Sequence, residues 1–295
     1  MNKKKSLAYY ESIEGWLFIS PTLVGAIIFL LIPFLVSIYL SFTEYSLIEL
    51  PRFIGFQNFQ RLIRDISFWK SLLSTCYFAF TGIPVGLALS LALAVVMNRP
   101  IRGITFFRTA YFIPVVTSWV AVGLIWRWLY NPEYGLINWI LSLFGLKGPD
   151  WLVSKTWAMP AIIIVNIWKN LGFNTMIFLA GLQGIPEDLY EASKLDGANQ
   201  WQQFHYITLP MISPTTLFLT ITSVIGSFQV FDAIYNMTRG GPEESTMVIV
   251  YYLWENAFGF LRMGYAAAMA WILFLIVFTL TLIQWRLSSK WVFLP

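Results

Sequence analysis

The chain has little of the chemistry on which enzymes and metal sites depend. It contains one cysteine, Cys76, and one histidine, His205, among 295 residues. A single cysteine excludes an intrachain disulfide and a cysteine metal cluster, and a single histidine excludes a paired-histidine metal site. The sequence also lacks a G-x-S-x-G nucleophile turn and a G-x-x-x-x-G-K-[ST] phosphate loop. We therefore expect no catalytic residue, no metal and no cofactor in this chain.

Charged residues are also scarce, at 12% against 58% hydrophobic residues. An ordinary soluble domain has about 25% charged residues, so this composition places the chain in a bilayer. A helix that crosses the hydrocarbon needs about 20 residues with few charges. The sequence predicts an all-α membrane protein, a single transmembrane domain over residues 1–295. Its six helices are expected at about 15–43, 71–98, 106–129, 157–182, 208–235 and 263–286.

The basic residues predict the orientation in the membrane. Lys3, Lys4 and Lys5 precede the first span. Arginines at 99, 102 and 108 crowd one short connection between spans. Short cytoplasmic connections carry an excess of Lys and Arg. We therefore expect both termini, and the loop at 187–209, to be cytoplasmic.

The polar segment at 187–209 lies between two long apolar runs. The proline and two carboxylates at 186–188 suit the first turn of a helix. Apolar residues then recur at near-helical spacing, at Leu189, Ala192 and Leu195. Gly197 tolerates the left-handed conformation in which helices often end, and a second amphipathic piece runs from Trp201 to Leu209. The segment is predicted to be a protruding helix–turn–helix, and a connector lying on lipid headgroups is the alternative.

This segment resembles the EAA signature of permease subunits of ATP-binding cassette (ABC) importers, E-A-A-x3-G-x9-I-x-L-P. The chain departs from it only by a serine for the third-position alanine. The matching residues are Glu191, Ala192, Ser193, Gly197, Ile207, Leu209 and Pro210. The resemblance covers nearly the whole chain and is to the carbohydrate-uptake permeases related to the maltose and glycerol-phosphate systems, of the maltose-F-like type. The other segments that carry it are GWLFISPTLVG, FIGFQNFQRLIRD, TRGGP and GYAAAMAWILF.

The resemblance implies a type I ABC importer permease fold with three kinds of partner. These are a second permease subunit, a cytoplasmic ABC ATPase dimer and an extracytoplasmic solute-binding protein. No nucleic acid is expected among the partners. ATP and Mg are expected in the ATPase, into which the EAA loop inserts as a coupling helix. The outer residues Arg239, Glu243 and Glu244 are expected near the solute-binding protein. The expected location is the bacterial or archaeal cytoplasmic membrane, in contact with membrane lipid.

Polar residues in the fourth and fifth spans predict a substrate site. Two sets of residues recur at helical spacing, so each set is expected to share one helix face. The first set is at 166, 170 and 173, and the second is at 229, 232 and 236. Polar groups inside a bilayer are costly unless they face a partner or a watery cavity, and amides, carboxylates and aromatic faces suit a sugar. The resemblance to the maltose permease supports most of these positions, and hydrogen bonding between helices is the alternative. The predicted substrate-binding residues are Asn166, Asn170, Phe173, Ser227, Gln229 and Asp232.

The predicted function is the permease subunit of an ATP-driven importer for a carbohydrate, expected to be an oligosaccharide. An importer of glycerol-3-phosphate or a glycerophosphodiester is an alternative, because Lys169 offers a partner for a phosphate. Lys169 and Asp232 have a second interpretation, in which each reaches water near the end of its span. A gradient-driven secondary transporter and an intramembrane enzyme are the other classes considered.

Overall fold

The computed structural model describes residues 2–99 and 103–293, so Arg102 lies outside the described residues. The described chain is mostly helical, as predicted. The helices are α1 (Asn2–Ala26), α2 (Ile32–Ser41), α3 (Gln57–Arg64), α4 (Ile66–Met97), α5 (Ile104–Val116), α6 (Trp119–Leu129), α7 (Leu136–Leu143), α8 (Ala158–Gln183), α9 (Glu187–Leu195), α10 (Gln200–Gln203), α11 (Leu209–Met211), α12 (Ser213–Phe228), α13 (Asp232–Met237), α14 (Ile249–Trp254) and α15 (Met263–Ser288). Three π-helical turns adjoin them, at Ile27–Leu31, Phe204–Thr208 and Glu255–Gly259. Strands β1 (Thr43–Glu44) and β2 (Arg52–Phe53) form an antiparallel pair.

Four helical segments are long and apolar enough to cross a membrane. They are Glu11–Ser41, Ile66–Met97, Ala158–Gln183 and Met263–Ser288. Two further pairs of helices reach that length only together, and each pair is sharply bent. If each bent pair is counted as one span, the described residues contain six, which agrees with the number predicted.

The third predicted span, 106–129, consists of two helices with a break between them. α5 and α6 meet at an angle of 101°. Pro114 lies in the last turn of α5, where its missing N–H weakens the helix. Ser118 then starts α6, because its Oγ accepts a hydrogen bond from the backbone N–H of Val120 at 3.3 Å. Hydropathy alone does not detect a break between two apolar helices.

The fifth span also differs from the predicted range of 208–235. It consists of Gln200–Met211 and Ser213–Phe228, bent by 62° where they join. The second helix ends at Phe228, and α13 begins a new helix at Asp232. Residues 229–231 are therefore a break inside the segment for which the sequence predicted a single helix.

The described chain divides into two compact units. The first contains Met1–Arg64 and Trp254–Ile272, and the second contains Asp65–Leu253 and Leu273–Pro295. Within the first unit the buried amide of Asn58 holds the end of α2 and the start of β1. Its Nδ2 donates to the carbonyl oxygens of Ser41 at 2.9 Å and Thr43 at 2.8 Å. A buried amide whose nitrogen donates two hydrogen bonds fixes this turn.

In the second unit, α4 packs against α8 along a stripe of small residues. The stripe is buried and recurs every four positions, at Gly82, Gly86, Ser90 and Ala94. A Cβ at Gly82 would lie 3.5 Å from Ile163, and one at Gly86 would lie 3.6 Å from Ile167. Small residues let helix backbones approach each other in a bilayer, where the hydrophobic effect between helices is weak. The stripe therefore sets the separation of α4 and α8.

α5 approaches α8 still more closely, at the buried Gly172. A Cβ at this position would collide with the carbonyl oxygen of Tyr111 and lie 3.0 Å from Cγ2 of Val115. The backbone of α5 thus occupies the space that a side chain on α8 would need.

Gly172→Ala is expected to lower the thermal stability of the protein, because the added methyl group would push the two backbones apart. Overpacking of this kind costs about 1–3 kcal/mol. The measurement is the melting temperature of the purified protein, followed by tryptophan fluorescence. Gly25→Ala is the control, since no described atom lies within 4 Å of a Cβ at Gly25. Equal melting temperatures for the two variants would contradict the close contact.

Candidate functional site

A cavity of about 310 Å³ lies among α4, α6, α8, α12 and the segment that joins α12 to α13. All six residues predicted to bind substrate lie in its wall, although they come from two separate parts of the chain. They are Asn166, Asn170, Phe173, Ser227, Gln229 and Asp232. The structure shows that these residues converge on one cavity. Their contact with a substrate stays a prediction.

Asn166 and Asn170 lie one turn apart on α8 and are hydrogen-bonded to each other. Nδ2 of Asn170 donates to the backbone carbonyl of Asn166 at 2.8 Å and to its Oδ1 at 3.1 Å. These bonds fix the orientation of both amides. Within the described residues, Nδ2 of Asn166 and Oδ1 of Asn170 keep a donor and an acceptor for a ligand hydroxyl.

The second wall of the cavity comes from a break in the chain and not from a continuous helix. α12 ends at Phe228, and both Gln229 and Asp232 follow that end. The prediction that Gln229, Asp232 and Asn236 share one helical stripe is therefore wrong. Asn236 donates to the backbone carbonyl of Asp232 at 2.8 Å and is not among the residues of the cavity wall. Irregular backbone at membrane depth is found where it lines a cavity, which fits residues 229–231.

The wall contains polar and aromatic residues that the sequence analysis missed. They are Phe78, Trp119, Asn174, Thr222, Ser223 and Phe231. Asn174 lies one turn beyond Asn170, and Ser223 lies one turn before Ser227, so helical spacing was a signal that could have found them. Trp119 and Phe231 had no such signal, because each lies beside a break in a span.

The described part of the cavity wall contains four aromatic side chains, those of Phe78, Trp119, Phe173 and Phe231, and one charged side chain. Phe173 is 44% exposed. Phe231 stacks on Tyr235 with ring centroids 5.3 Å apart. Asp232 is the charged residue among the described residues of the wall, where the other polar groups are amides and hydroxyls. The cavity therefore offers hydrogen bonds, ring faces and a negative charge.

The sequence allowed two interpretations of Lys169, that it reaches water or that it touches a substrate. The structure agrees with neither. Its side chain is buried at 7% exposure. Its Nζ donates to the backbone carbonyls of Pro114 at 3.0 Å, Val115 at 3.3 Å and Thr117 at 2.8 Å. These three oxygens use the donors of the amine, and Lys169 is not part of the cavity wall.

The segment at 187–209 forms the predicted helix–turn–helix, which we call the EAA knob. α9 is its first arm. Gly197 follows α9 with φ of +83°, the left-handed conformation expected of it. The second arm is shorter than predicted as an α-helix, since α10 ends at Gln203 and a π-helical turn continues to Thr208.

Ser193, the departure from the EAA signature, joins the two arms of the knob. Its Oγ accepts a hydrogen bond from Nε2 of Gln203 and donates one to the carbonyl of Tyr190, both at 2.8 Å. The hydroxyl groups of Tyr190 and Thr208 lie 3.0 Å apart. The serine thus adds a side-chain hydrogen bond that an alanine could not make.

The EAA knob exposes apolar side chains beside its charges. Leu195 is 90% exposed, and Trp201 and Tyr206 are each 73% exposed. Of the residues that match the signature, three are exposed and four are half-buried. The exposed ones are Glu191, Ala192 and Gly197, and the half-buried ones are Ser193, Ile207, Leu209 and Pro210. Large apolar side chains clustered on a surface mark an interaction site.

The loop after α13 contains the three residues expected near the solute-binding protein. Arg239, Glu243 and Glu244 all have positive φ, at 52°, 47° and 60°, which is uncommon for residues other than glycine. Glu243 pairs with Lys155 at 3.1 Å, and both side chains are exposed. The guanidinium of Arg239 lies 6.0 Å from the centroid of the Tyr235 ring. The loop is thus a tightly turned segment that presents charges.

The chain combines membrane-spanning helices, two of them sharply bent, with a polar cavity and a folded knob between two spans. These features are typical of a membrane transport subunit. The chain belongs to the family described as binding-protein-dependent transport system inner membrane component, which matches residues 67–292. The chain is therefore the membrane component of a transport system that works with a binding protein.

Named relatives and a solved structure agree with this family. The chain is 36% identical to the probable starch degradation products transport system permease protein AmyD of Thermoanaerobacterium thermosulfurigenes, over 97% of this chain and 98% of that protein. It is 32% identical to the sn-glycerol-3-phosphate transport system permease protein UgpA of Agrobacterium fabrum, over 97% of this chain and 98% of that protein. A chain in the crystal structure of a bacterial ABC transporter involved in the import of the acidic polysaccharide alginate matches with a TM-score of 0.85 and 25% identity, over 96% of this chain and 98% of that chain. The predicted ABC importer permease family and the type I permease fold are confirmed.

Proposed function

We propose that this chain provides the membrane path for a carbohydrate, expected to be an oligosaccharide, in an ATP-driven importer. The observation that carries the proposal is the convergence of amides, hydroxyls, a carboxylate and aromatic rings on one cavity. A sugar presents hydroxyl groups that amides and carboxylates can hydrogen-bond, and ring faces that pack against aromatic side chains. The name of the relative AmyD, which refers to starch degradation products, supports the same class of substrate.

The EAA knob is the proposed contact with a cytoplasmic ABC ATPase dimer. The exposed Leu195 and Trp201 give it an apolar surface for that contact, and the match to the EAA signature supports this partner. ATP and Mg are then held by the ATPase, and this chain catalyses no covalent step. In this arrangement the knob and both termini lie in the cytoplasm.

A second permease subunit is the remaining proposed partner within the membrane. The solute-binding protein is proposed to dock on the opposite side of the membrane from the knob, at the loop that contains Arg239, Glu243 and Glu244. The loaded binding protein favours the outward-open state, and ATP binding favours closure of the ATPase dimer. Each ligand shifts the transporter only by its different affinity for the two states. Gradient-driven uptake by this chain alone would contradict the scheme.

An importer of glycerol-3-phosphate or a glycerophosphodiester is the second candidate, favoured by the likeness to UgpA. Two observations weigh against it. The amine of Lys169 is occupied by three carbonyl oxygens, and Asp232 gives the described part of the wall a carboxylate, which repels a phosphate at short range.

Ligand stimulation of ATPase activity separates the two candidates. The complete transporter, reconstituted with its binding protein, is expected to respond to neutral oligosaccharides such as maltotriose and not to glycerol-3-phosphate. A response to glycerol-3-phosphate alone would favour the second candidate.

Gly197→Val tests the coupling role of the knob. A β-branched residue in the left-handed conformation costs about 1–2 kcal/mol, so the turn between the arms should change shape. We expect uptake to fall while ATP hydrolysis continues, because the knob no longer follows the ATPase. Gly197→Asn is the matched control, since asparagine tolerates this conformation. Normal uptake by an assembled Gly197→Val transporter would contradict the proposed coupling.

Asn170→Ala and Gln229→Ala test the cavity as a sugar site. Each variant removes one amide, and a hydrogen bond contributes about 0.5–1.5 kcal/mol, so we expect KM for uptake to rise about two- to tenfold in each. Size-exclusion chromatography should show that the complex still assembles. Gln183→Ala is the control, because Gln183 is an exposed amide at the end of the same helix. If both cavity variants transport like the wild type, these residues do not belong to the site.

A further inference from the structure

Lys169 is a buried cation in the middle of a membrane-spanning helix, and it belongs neither to the cavity wall nor to the EAA knob. Its side chain is 7% exposed, and its Nζ contacts three carbonyl oxygens at 2.8–3.3 Å. A lysine in this position is costly unless the protein itself replaces the lost hydration. The structure should therefore contain a reason for the charge at this point.

The three carbonyls belong to the break in the third span. Pro114 and Val115 are in the last turn of α5, and Thr117 is its extended C-cap residue. The last carbonyls of a helix have no intrahelical partner, and the C-terminal end of a helix dipole favours a cation. The carbonyl of Pro114 also accepts a hydrogen bond from the backbone N–H of Thr117 at 3.3 Å. The ammonium group of Lys169 adds three further hydrogen bonds and a positive charge at this helix end.

The same lysine also contacts the ring that follows the break. Nζ lies 5.2 Å from the centroid of the Trp119 ring, within the range of a cation–π interaction. Trp119 is the second residue after Thr117 and forms part of the cavity wall. Gly172, three residues beyond Lys169 on α8, lets the backbone of α5 approach closely enough for these contacts.

We propose that Lys169 is a positioning residue that holds the 101° break of the third span in place and thereby fixes Trp119 in the wall of the cavity. The amine acts through the backbone at Pro114–Thr117 and does not touch the transported molecule. The effect on transport rests on the proposed function of the cavity, whereas the effect on the backbone does not.

Hydrogen exchange of the complete transporter in lipid nanodiscs tests the backbone effect. Lys169→Met keeps the length of the side chain and removes its charge and donors. We expect amide exchange in residues 112–122 to become about tenfold faster or more, as for the loss of hydrogen bonds to a charged group. Residues 187–209 should exchange as in the wild type. Lys147→Met, at an exposed loop lysine, is the control and should change neither segment.

Uptake kinetics provide the second readout. Lys169→Met should raise KM more than it lowers kcat, because Trp119 moves while the EAA knob is intact. Lys169→Arg keeps a cation with several donors and should restore slow exchange at 112–122 at least in part. Faster exchange at 112–122 without a change in KM would support the role of Lys169 in stabilising the break. It would also show that Trp119 does not belong to the substrate site.

Two results would overturn the proposal. One is wild-type exchange at 112–122 in Lys169→Met, and the other is an increase spread evenly over the whole chain. If Lys169→Met does not assemble, Lys169→Arg decides the question. An arginine variant that assembles with slow exchange at 112–122 supports the proposal, and one that fails to assemble or loses that protection contradicts it.

Discussion

A backbone that leaves the helical conformation inside a bilayer must satisfy its freed carbonyl and amide groups from the protein itself, because lipid offers no hydrogen bonds. This chain leaves that conformation near Thr117 in the third span and again at residues 229–231. At the first break, Lys169 supplies donors to three carbonyls. At the second, the chain lines a polar cavity. The two breaks therefore meet this constraint differently, the first through a buried lysine and the second beside a polar cavity.

The helices around the breaks pack closely at small residues. The small residues from Gly82 to Ala94 let α4 approach α8. Gly172 on α8 lets α5 approach α8 as well. Close contacts of this type leave little freedom for one helix to slide against the next, since protein interiors are densely packed. α8 therefore serves as the common support of the cavity and carries both asparagines of its wall.

Much of this architecture could be predicted from composition and spacing, and the exceptions have one physical cause. Runs without charge predicted the number of spans, and the residue pattern of 187–209 predicted the knob with Gly197 at its turn. Helical spacing found Asn166 and Asn170. It also selected Gln229 and Asp232, but for the wrong reason, because they reach the same wall through a break that apolar composition does not reveal. Lys169 was misjudged for the same reason, because its partners are backbone carbonyls that exist only where α5 ends.

The connections between the EAA knob and the cavity explain how one could act on the other. α8 carries Asn174 in the cavity wall and ends at Gln183, nine residues or about 14 Å further along the helix axis. The knob begins four residues later, at Glu187. Its other arm leads through the 62° bend into α12, whose far end carries Ser227.

The two arms of the knob are also joined to each other, by the hydrogen bond from Gln203 to Ser193 and the contact between Tyr190 and Thr208. A knob with joined arms moves as one body, so a displacement at its tip reaches both α8 and α12. These two helices hold opposite sets of polar residues in the cavity wall. A force on the knob would therefore change the spacing between the asparagines of α8 and the polar residues at the end of α12, and with it the fit of the cavity to its ligand.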